Sequence, residues 1–392
     1  MKTRTLESLN PQLVYNMNSE NIPGLYIHIP FCFSKCHYCD FYSLTSISAV
    51  PDFIKTLFKE MEMYPNRFNA FDTVYIGGGT PSLLSPQQLK DILTGLEKNF
   101  NFTSDPETTI EANPADLDRS LLESMRDMGV NRINIGIQSF EDGVLDFLSR
   151  RHSARQAISA IQTSRKAGFE NIGLDLIYGV PGQGINSWLT TLKEAVAFSP
   201  EHLSCYQLTL AAKTPLGIRY QAGEFLMPGE ELQYEFFVRT SEFLKDAGYI
   251  HYEVSNFARG TKYASRHNQK YWDHSPYLGL GPSAHSFRDN RRWWNHRSLE
   301  QYITEINAGI LPVEETEILT TEQLRLEAFY LGLRTKKGVS LRDFKTRYQY
   351  DLFAEKREIL NKLQEEGFIA IRDGCIYPTQ AGLAVVDSLA LI

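Results

Sequence analysis

Long apolar runs are missing from this sequence. Nothing in its 392 residues approaches the ~18 consecutive apolar residues that a membrane-spanning helix requires. The amino-terminal Met1-Lys2-Thr3-Arg4-Thr5-Leu6-Glu7 holds no apolar stretch of a secretory signal, so the chain is read as cytoplasmic. A basic excess is missing as well: 40 Lys and Arg stand against 47 Asp and Glu, a net charge of −7. That excludes a chain built mainly to coat nucleic acid. Low-complexity tracts and internal repeats are absent, which excludes solenoid architectures. Cysteine is scarce, with 5 residues, and an odd count of so few excludes a disulfide framework. What is present in quantity is ordinary core material. Hydrophobic residues make up 42% and charged residues 22%, enough to bury a large core.

Residues 1–20 carry little pattern and read as an N-terminal tail. From Gly24 onward, short apolar runs alternate with helix-length amphipathic segments. The strand candidates are Leu25–Ile29, Thr73–Ile76, Thr108–Ala112, Arg132–Gln138, Ile172–Tyr178 and Leu203–Leu210. Their apolar, often β-branched content fits strands buried on both faces. Helical patterns fall at 51–64, 86–99, 118–128, 153–167 and 186–197. Pro51 suits a first helical turn, and Gly129, Gly168 and Gly248 suit helix C-caps. Repeated βα units predict an α/β fold with a parallel sheet and helices outside. Six units over about 190 residues fit a partial (β/α)6 barrel spanning 21–245, with its chemistry at the C-terminal ends of the strands.

Residues 246–315 form an α+β region rich in aromatics, and they hold His251, His267, His274, His285 and His296. Residues 316–392 read as a small C-terminal domain. Helices are predicted over Glu322–Leu333 and Val339–Tyr348, with a third capped by Asp351 and carrying Leu352, Ile359, Leu360 and Leu363 on one face. Asp373-Gly374 predicts a hairpin between two short strands, and Thr379 opens a terminal helix through Leu391. Helices followed by a hairpin describe a winged-helix-like domain. Its third helix mixes Glu355, Lys356, Arg357 and Glu358, so a lid or docking role fits it better than binding of nucleic acid.

The chemistry begins at Cys32-Phe33-Ser34-Lys35-Cys36-His37-Tyr38-Cys39. Three thiols on one loop after a strand can hold three irons of a [4Fe–4S] cluster and leave the fourth open. Zinc held by three Cys and one His, with His28 or His37, is the alternative. Gly77-Gly78-Gly79 lets a ligand approach the backbone closely, or simply makes a flexible turn. Glu111 and Asn113 sit at a strand end, where they either bind a ligand or cap a helix. Asp175 is a charge inside an apolar strand; a ribose-like ligand or an internal salt bridge would repay its burial. In His267-Asn268-Gln269-Lys270-Tyr271-Trp272, a neutral imidazole is a common haem ligand, and helical spacing puts Tyr271 beside His267. An ordinary packing cluster is the other reading.

The C-x3-C-x2-C spacing resembles that of the radical S-adenosylmethionine (SAM) superfamily. Tyr26-Ile27-His28-Ile29-Pro30-Phe31-Cys32, the GGGTP run at 77–81, Gly136-Ile137-Gln138-Ser139-Phe140 and Asp175-Leu176-Ile177-Tyr178-Gly179 are similar to the oxygen-independent coproporphyrinogen III oxidase family. The resemblance covers nearly the whole chain. It implies a [4Fe–4S] cluster on Cys32, Cys36 and Cys39. It also implies a SAM site lined by Tyr26, Tyr38, Gly78, Gly79, Thr80, Glu111, Gln138, Arg150 and Asp175. One departure matters: the oxidases carry a fourth Cys where this chain has Phe41. The H-N-x-x-Y-W string instead resembles the haem-binding signature of the HemW-type haem chaperones. That branch implies haem held by His267, Asn268, Tyr271 and Trp272 and passed to an acceptor haemoprotein. It also admits homodimerisation and peripheral membrane association. The alternative is an enzyme that oxidatively decarboxylates coproporphyrinogen III propionates, and Phe41 argues against it.

Overall fold

The structure, a computed structural model, describes residues 21–64 and 68–389; the tail expected at 1–20 and the end of the expected terminal helix lie outside these. Six strands follow one another with helices between them: β1 (Gly24–Ile29), β2 (Phe71–Gly78), β3 (Phe102–Ala112), β4 (Arg132–Gln138), β5 (Ile172–Tyr178) and β6 (His202–Gln207). All five consecutive pairings are parallel. Helices at 50–62, 86–99, 119–127, 154–166 and 185–197 occupy the expected connections. Local chemistry explains their starts. Ser85 and Ser153 form reciprocal capping boxes with Gln88 and Gln156, and prolines open the helices at 50–62 and 86–99. Gly129, Gly168 and Gly248 follow helices at positive φ, as C-cap glycines do.

The strands are not apolar on both faces, which corrects the sequence expectation. Leu25, Ile27 and Ile29 of β1, Val74 and Ile76 of β2, Ile133, Ile135 and Ile137 of β4, and Leu174 and Leu176 of β5 face the helices and are fully or nearly buried. The alternate positions are Tyr26 and His28, Thr73 and Tyr75, Thr109 and Glu111, Asn134, Asp175, and Tyr206. Period-two alternation therefore separates a packed outer face from a polar inner one. Each apolar side chain buried on the outer face contributes about 1.5–3 kcal/mol.

Six further strands extend this sheet at both edges: β7 (Ile250–Glu253), β8 (Asn256–Ala258), β9 (Tyr277–Leu280), β10 (His285–Arg288), β11 (Arg291–Asn295) and β12 (Val313–Ile318). The order is β12-β11-β10-β9-β1-β2-β3-β4-β5-β6-β8-β7 among the described residues. β9 runs parallel to β1 and the outer strands are antiparallel. The division expected at 245–246 does not part the sheet, because strands from 250 onward complete both of its edges, and β12 runs across 315–316.

The C-terminal segment has helices at 321–333, 341–348, 352–355 and 357–365. A three-stranded sheet of β13 (Val339–Ser340), β14 (Ile369–Arg372) and β15 (Cys375–Pro378) follows in the order β13-β15-β14. Asp373 and Gly374 both take positive φ in the hairpin, as a tight two-residue turn demands. The single helix expected after Asp351 is interrupted at Lys356, whose φ of −116° and ψ of 20° leave the helical region. Asp351 caps the first piece through the Ala354 N–H.

Candidate functional site

The cysteine loop leaves β1 and is pinned at both ends. Cys32 N–H donates to the Leu44 carbonyl (2.9 Å), and Leu44 N–H returns to the Pro30 carbonyl (2.8 Å). Inside it, Cys39 N–H donates to the Cys36 carbonyl (3.1 Å) and Leu216 N–H to that of His37 (3.0 Å). All three thiols are free. Two of them receive donors from elsewhere: Thr80 Oγ1 to Cys32 Sγ and Arg150 Nη1 to Cys36 Sγ, both at 3.3 Å. Such donors orient the sulfurs they reach. Of the histidines that zinc would use, His28 has both ring nitrogens engaged and His37 has one. His28 bonds Tyr26 OH and the Tyr42 carbonyl, and His37 bonds Ser149. Three thiols on one loop, two of them reached by outside donors, suit an open-iron cluster.

The glycine run crosses the end of β1 beside this loop. Gly79 N–H and Thr80 N–H donate to the Ile29 and Phe31 carbonyls at 2.8 and 2.7 Å. A Cβ on Gly77 would lie 2.9 Å from the Glu111 carboxyl. One on Gly78, whose φ is +106°, would strike the His28 ring at 2.5 Å. The glycines therefore make room for the site's own side chains as well as for a ligand.

Glu111 stands over this cradle. Tyr75 OH donates to Oε1 (2.8 Å) and Gly78 N–H to Oε2 (3.1 Å). Burial, with Asp175 adding like charge, raises its carboxyl to about 7. Asp175, reached by Asn134 Nδ2 at 2.7 Å, is raised by burial too, and its Oδ1 has no partner. Arg150 donates to the Gly136 carbonyl at 2.7 Å and keeps an unpartnered Nε. Gln138 is held at φ +66° where β4 ends. Glu111 is bonded to Gly78 and acts on Tyr26 and Asp175 through space, Arg150 reaches Cys36 and Tyr38 and lies beside Gln138, and Thr80, next to Gly79, reaches Cys32, so these residues border one polar chamber beside the cysteine loop. Its inner surface offers two buried acids, Glu111 and Asp175, that no salt bridge closes, although Arg132 and Arg150 act on Asp175 through space, and polar atoms lacking a partner. That arrangement fits a ligand bearing an ammonium and hydroxyl groups. Sequence reasoning missed Tyr75 and Asn134, which hold the two acids; the alternation of β2 and β4 was the available signal.

The 267–272 motif lies on helix 266–272. Helix 266–272 crosses the floor of the chamber, at the N-terminal ends of β1 and β2. Arg266 donates to the Asp72 and Asp105 carbonyls, and Lys270 pairs with Asp72 at 2.6 Å and donates to the Ile22 carbonyl. His267 is 1% exposed. Its Nδ1 bonds Thr73 Oγ1 (2.8 Å) and its Nε2 bonds Tyr271 OH (3.0 Å). Burial lowers it to about 3, so it is neutral. Thr73 and Tyr271, not Asn268, orient the ring. The Arg334 guanidinium covers the Trp272 ring at 5.0 Å. In this conformation His267 does not face outward to a haem iron, because both ring nitrogens are used and the side chain is enclosed.

Residues 26–195 match the Radical SAM superfamily and residues 319–385 the HemN C-terminal domain. The chain is 35% identical over 362 residues to the heme chaperone HemW of Bacillus subtilis, covering 91% of this chain and 95% of that one. It is 32% identical over 389 residues to the mitochondrial radical S-adenosyl methionine domain-containing protein 1 of Bos taurus, covering 94% and 86%. Among solved structures, the coproporphyrinogen III oxidase HemN of Escherichia coli, a radical SAM enzyme, superposes with a TM-score of 0.82 at 23% identity, covering 95% and 90%. That likeness shows a shared fold. Identity of this degree over nearly the whole of a curated relative, together with the Radical SAM match over residues 26–195, places the chain in the HemW family of radical SAM proteins.

Proposed function

We propose that the chain is a haem chaperone that binds haem and hands it to an acceptor haemoprotein. The observation that carries this reading is the 35% identity to a heme chaperone extending over 95% of that relative. Phe41 supports it: a 70%-exposed phenyl ring stands where the oxidase pattern has a fourth Cys. Cys32, Cys36 and Cys39 would hold a [4Fe–4S] cluster, which when bound supplies an open iron and a single electron. Thr80 and Arg150 steady two of its thiolates. Glu111 would take the amino group of SAM, and Asp175 its ribose hydroxyls. Tyr26, Tyr38, Gly78, Gly79 and Gln138 would close around the remainder. Coordination of haem by His267, with Asn268, Tyr271 and Trp272 around it, would require helix 266–272 to leave the floor.

The test is anaerobic reconstitution followed by haem titration, watched by absorption spectroscopy. Parallel samples receive reductant, SAM and coproporphyrinogen III. A stable haem complex with no decarboxylated product is expected. Product formation without a stable haem complex would replace this reading with the oxidase.

A further inference from the structure

Tyr75 links two features that the sequence presents as unrelated. Its hydroxyl donates to Glu111 Oε1, while the other carboxylate oxygen takes the Gly78 N–H. Its ring lies on the His267 ring, with centroids 5.1 Å apart and planes inclined by 29°. His267 is fixed in turn by Thr73, two residues earlier on the same strand, and by Tyr271. Tyr271 meets Tyr277 edge-on at 4.8 Å. A column of rings therefore rises from the floor helix to the carboxylate at the chamber's centre. The polar side-chain atoms of Tyr75, His267 and Tyr271 are all bonded and their rings are packed on one another.

We propose that Tyr75 is a positioning residue for Glu111, braced from below by His267 and Tyr271, so that the 267–272 motif serves the SAM chamber. The inference rests on Glu111 being the partner of the SAM amino group. A carboxylate set between a backbone N–H and a tyrosine hydroxyl presents its lone pairs in one direction, and an ammonium ligand then finds it already oriented. The groups facing Glu111 are Tyr26 from β1, Tyr75 from β2, Asp175 from β5 and Tyr271 from the floor helix. None is a cation. The tyrosines are pushed upward by burial and remain neutral, so Glu111 and Asp175 are the titrating pair. The Tyr75 hydroxyl favours the ionised form of Glu111, and its removal moves that group's titration toward higher pH.

The experiment is calorimetric titration of SAM into the anaerobically reconstituted protein from about pH 5.5 to 8.5. The proteins are the parent, Tyr75→Phe, Tyr271→Phe and Glu111→Gln. Parent affinity should rise with pH as Glu111 ionises. Tyr75→Phe keeps the ring on His267 and loses only the hydroxyl. It should bind SAM about tenfold more weakly near neutrality, with its pH midpoint displaced upward. Tyr271→Phe should show a smaller loss in the same direction, and Glu111→Gln weak binding without pH dependence. A filler role for Tyr75 would lower the melting temperature and leave the midpoint in place. Parent-like affinity and midpoint in Tyr75→Phe would overturn the proposal. Should that variant fail to fold, parent-like behaviour of Tyr271→Phe overturns it equally. A parent that does not bind SAM at any pH overturns it together with the chamber assignment, whereas loss of haem binding has no bearing on this assay.

Discussion

At the scale of single residues, the chamber is shaped by what its glycines omit. Gly78 sits at φ +106° with the His28 ring where a Cβ would go. That ring is itself tied to Tyr26 and to the Tyr42 carbonyl, so it has no room to retreat. Gly78→Ala should therefore cost at least about 1 kcal/mol in urea unfolding and weaken SAM binding, because the Gly78 N–H that holds Glu111 moves with the backbone. The cysteine spacing was the most legible feature in the sequence, since three thiols in one loop have few chemical explanations. Tyr75 was not legible. In the sequence it is one aromatic among strand residues, and only the fold places its hydroxyl on Glu111.

At the scale of elements, Glu60 joins parts of the chain that are far apart in sequence. It lies in helix 50–62 and is 0% exposed. It accepts from Tyr302 OH (2.6 Å), Gly281 N–H (2.8 Å) and Asn295 Nδ2 (2.7 Å). These belong to helix 299–307, the turn after β9 and the end of β11. Glu60→Ala leaves the Tyr302 hydroxyl and the Gly281 N–H buried without partners. The cost should be about 3 kcal/mol or more, read from chemical unfolding. The βα alternation of 24–207 was readable because buried strands and amphipathic helices carry different periods, with caps between them. The pairing of β9 with β1 was not, because the order of strands in space depends on contacts some 250 residues apart. The inner face of the strands was misjudged for a related reason. Tyr26, Tyr75, Glu111 and Asp175 stand among apolar neighbours, and only a curved sheet with a chamber gives those polar side chains a place.

For the whole molecule, buried ionisable groups set the pH dependence of stability. Burial raises Glu60, Glu111 and Glu253 to about 7, above their unfolded value of 4.5. The stability they contribute is complete below about pH 4.5 and lost as pH rises through about 7. Burial lowers His28, His152 and His251 to about 4 and His267 to about 3, and depresses His202 as well, from an unfolded value of 6.5. Their contribution is complete above about pH 6.5 and lost as pH falls through about 4. The histidines outnumber the acids on the acidic side, so stability should rise from about pH 5 to a broad optimum near 6.5 and decline gently above it. Unfolding free energies across that range check this, and Glu60→Gln should flatten the upper limb.

The floor helix also ties the chamber to the C-terminal segment. Trp272 lies under Arg334, Arg347 donates to the Asp273 and His274 carbonyls, and Glu327 bridges Arg292 and His274. A winged-helix-like end was legible in the sequence from its hairpin and helix faces. Its grip on the 267–274 segment was not, because that grip is made of single side chains.

The most direct measurement is of haem handover. The reconstituted protein, loaded with haem, is mixed with an apo-haemoprotein acceptor, and the Soret band is followed as acceptor is added. The donor spectrum should decay while the holo-acceptor spectrum appears, faster than by release of haem into buffer. Transfer no faster than that passive release would contradict it.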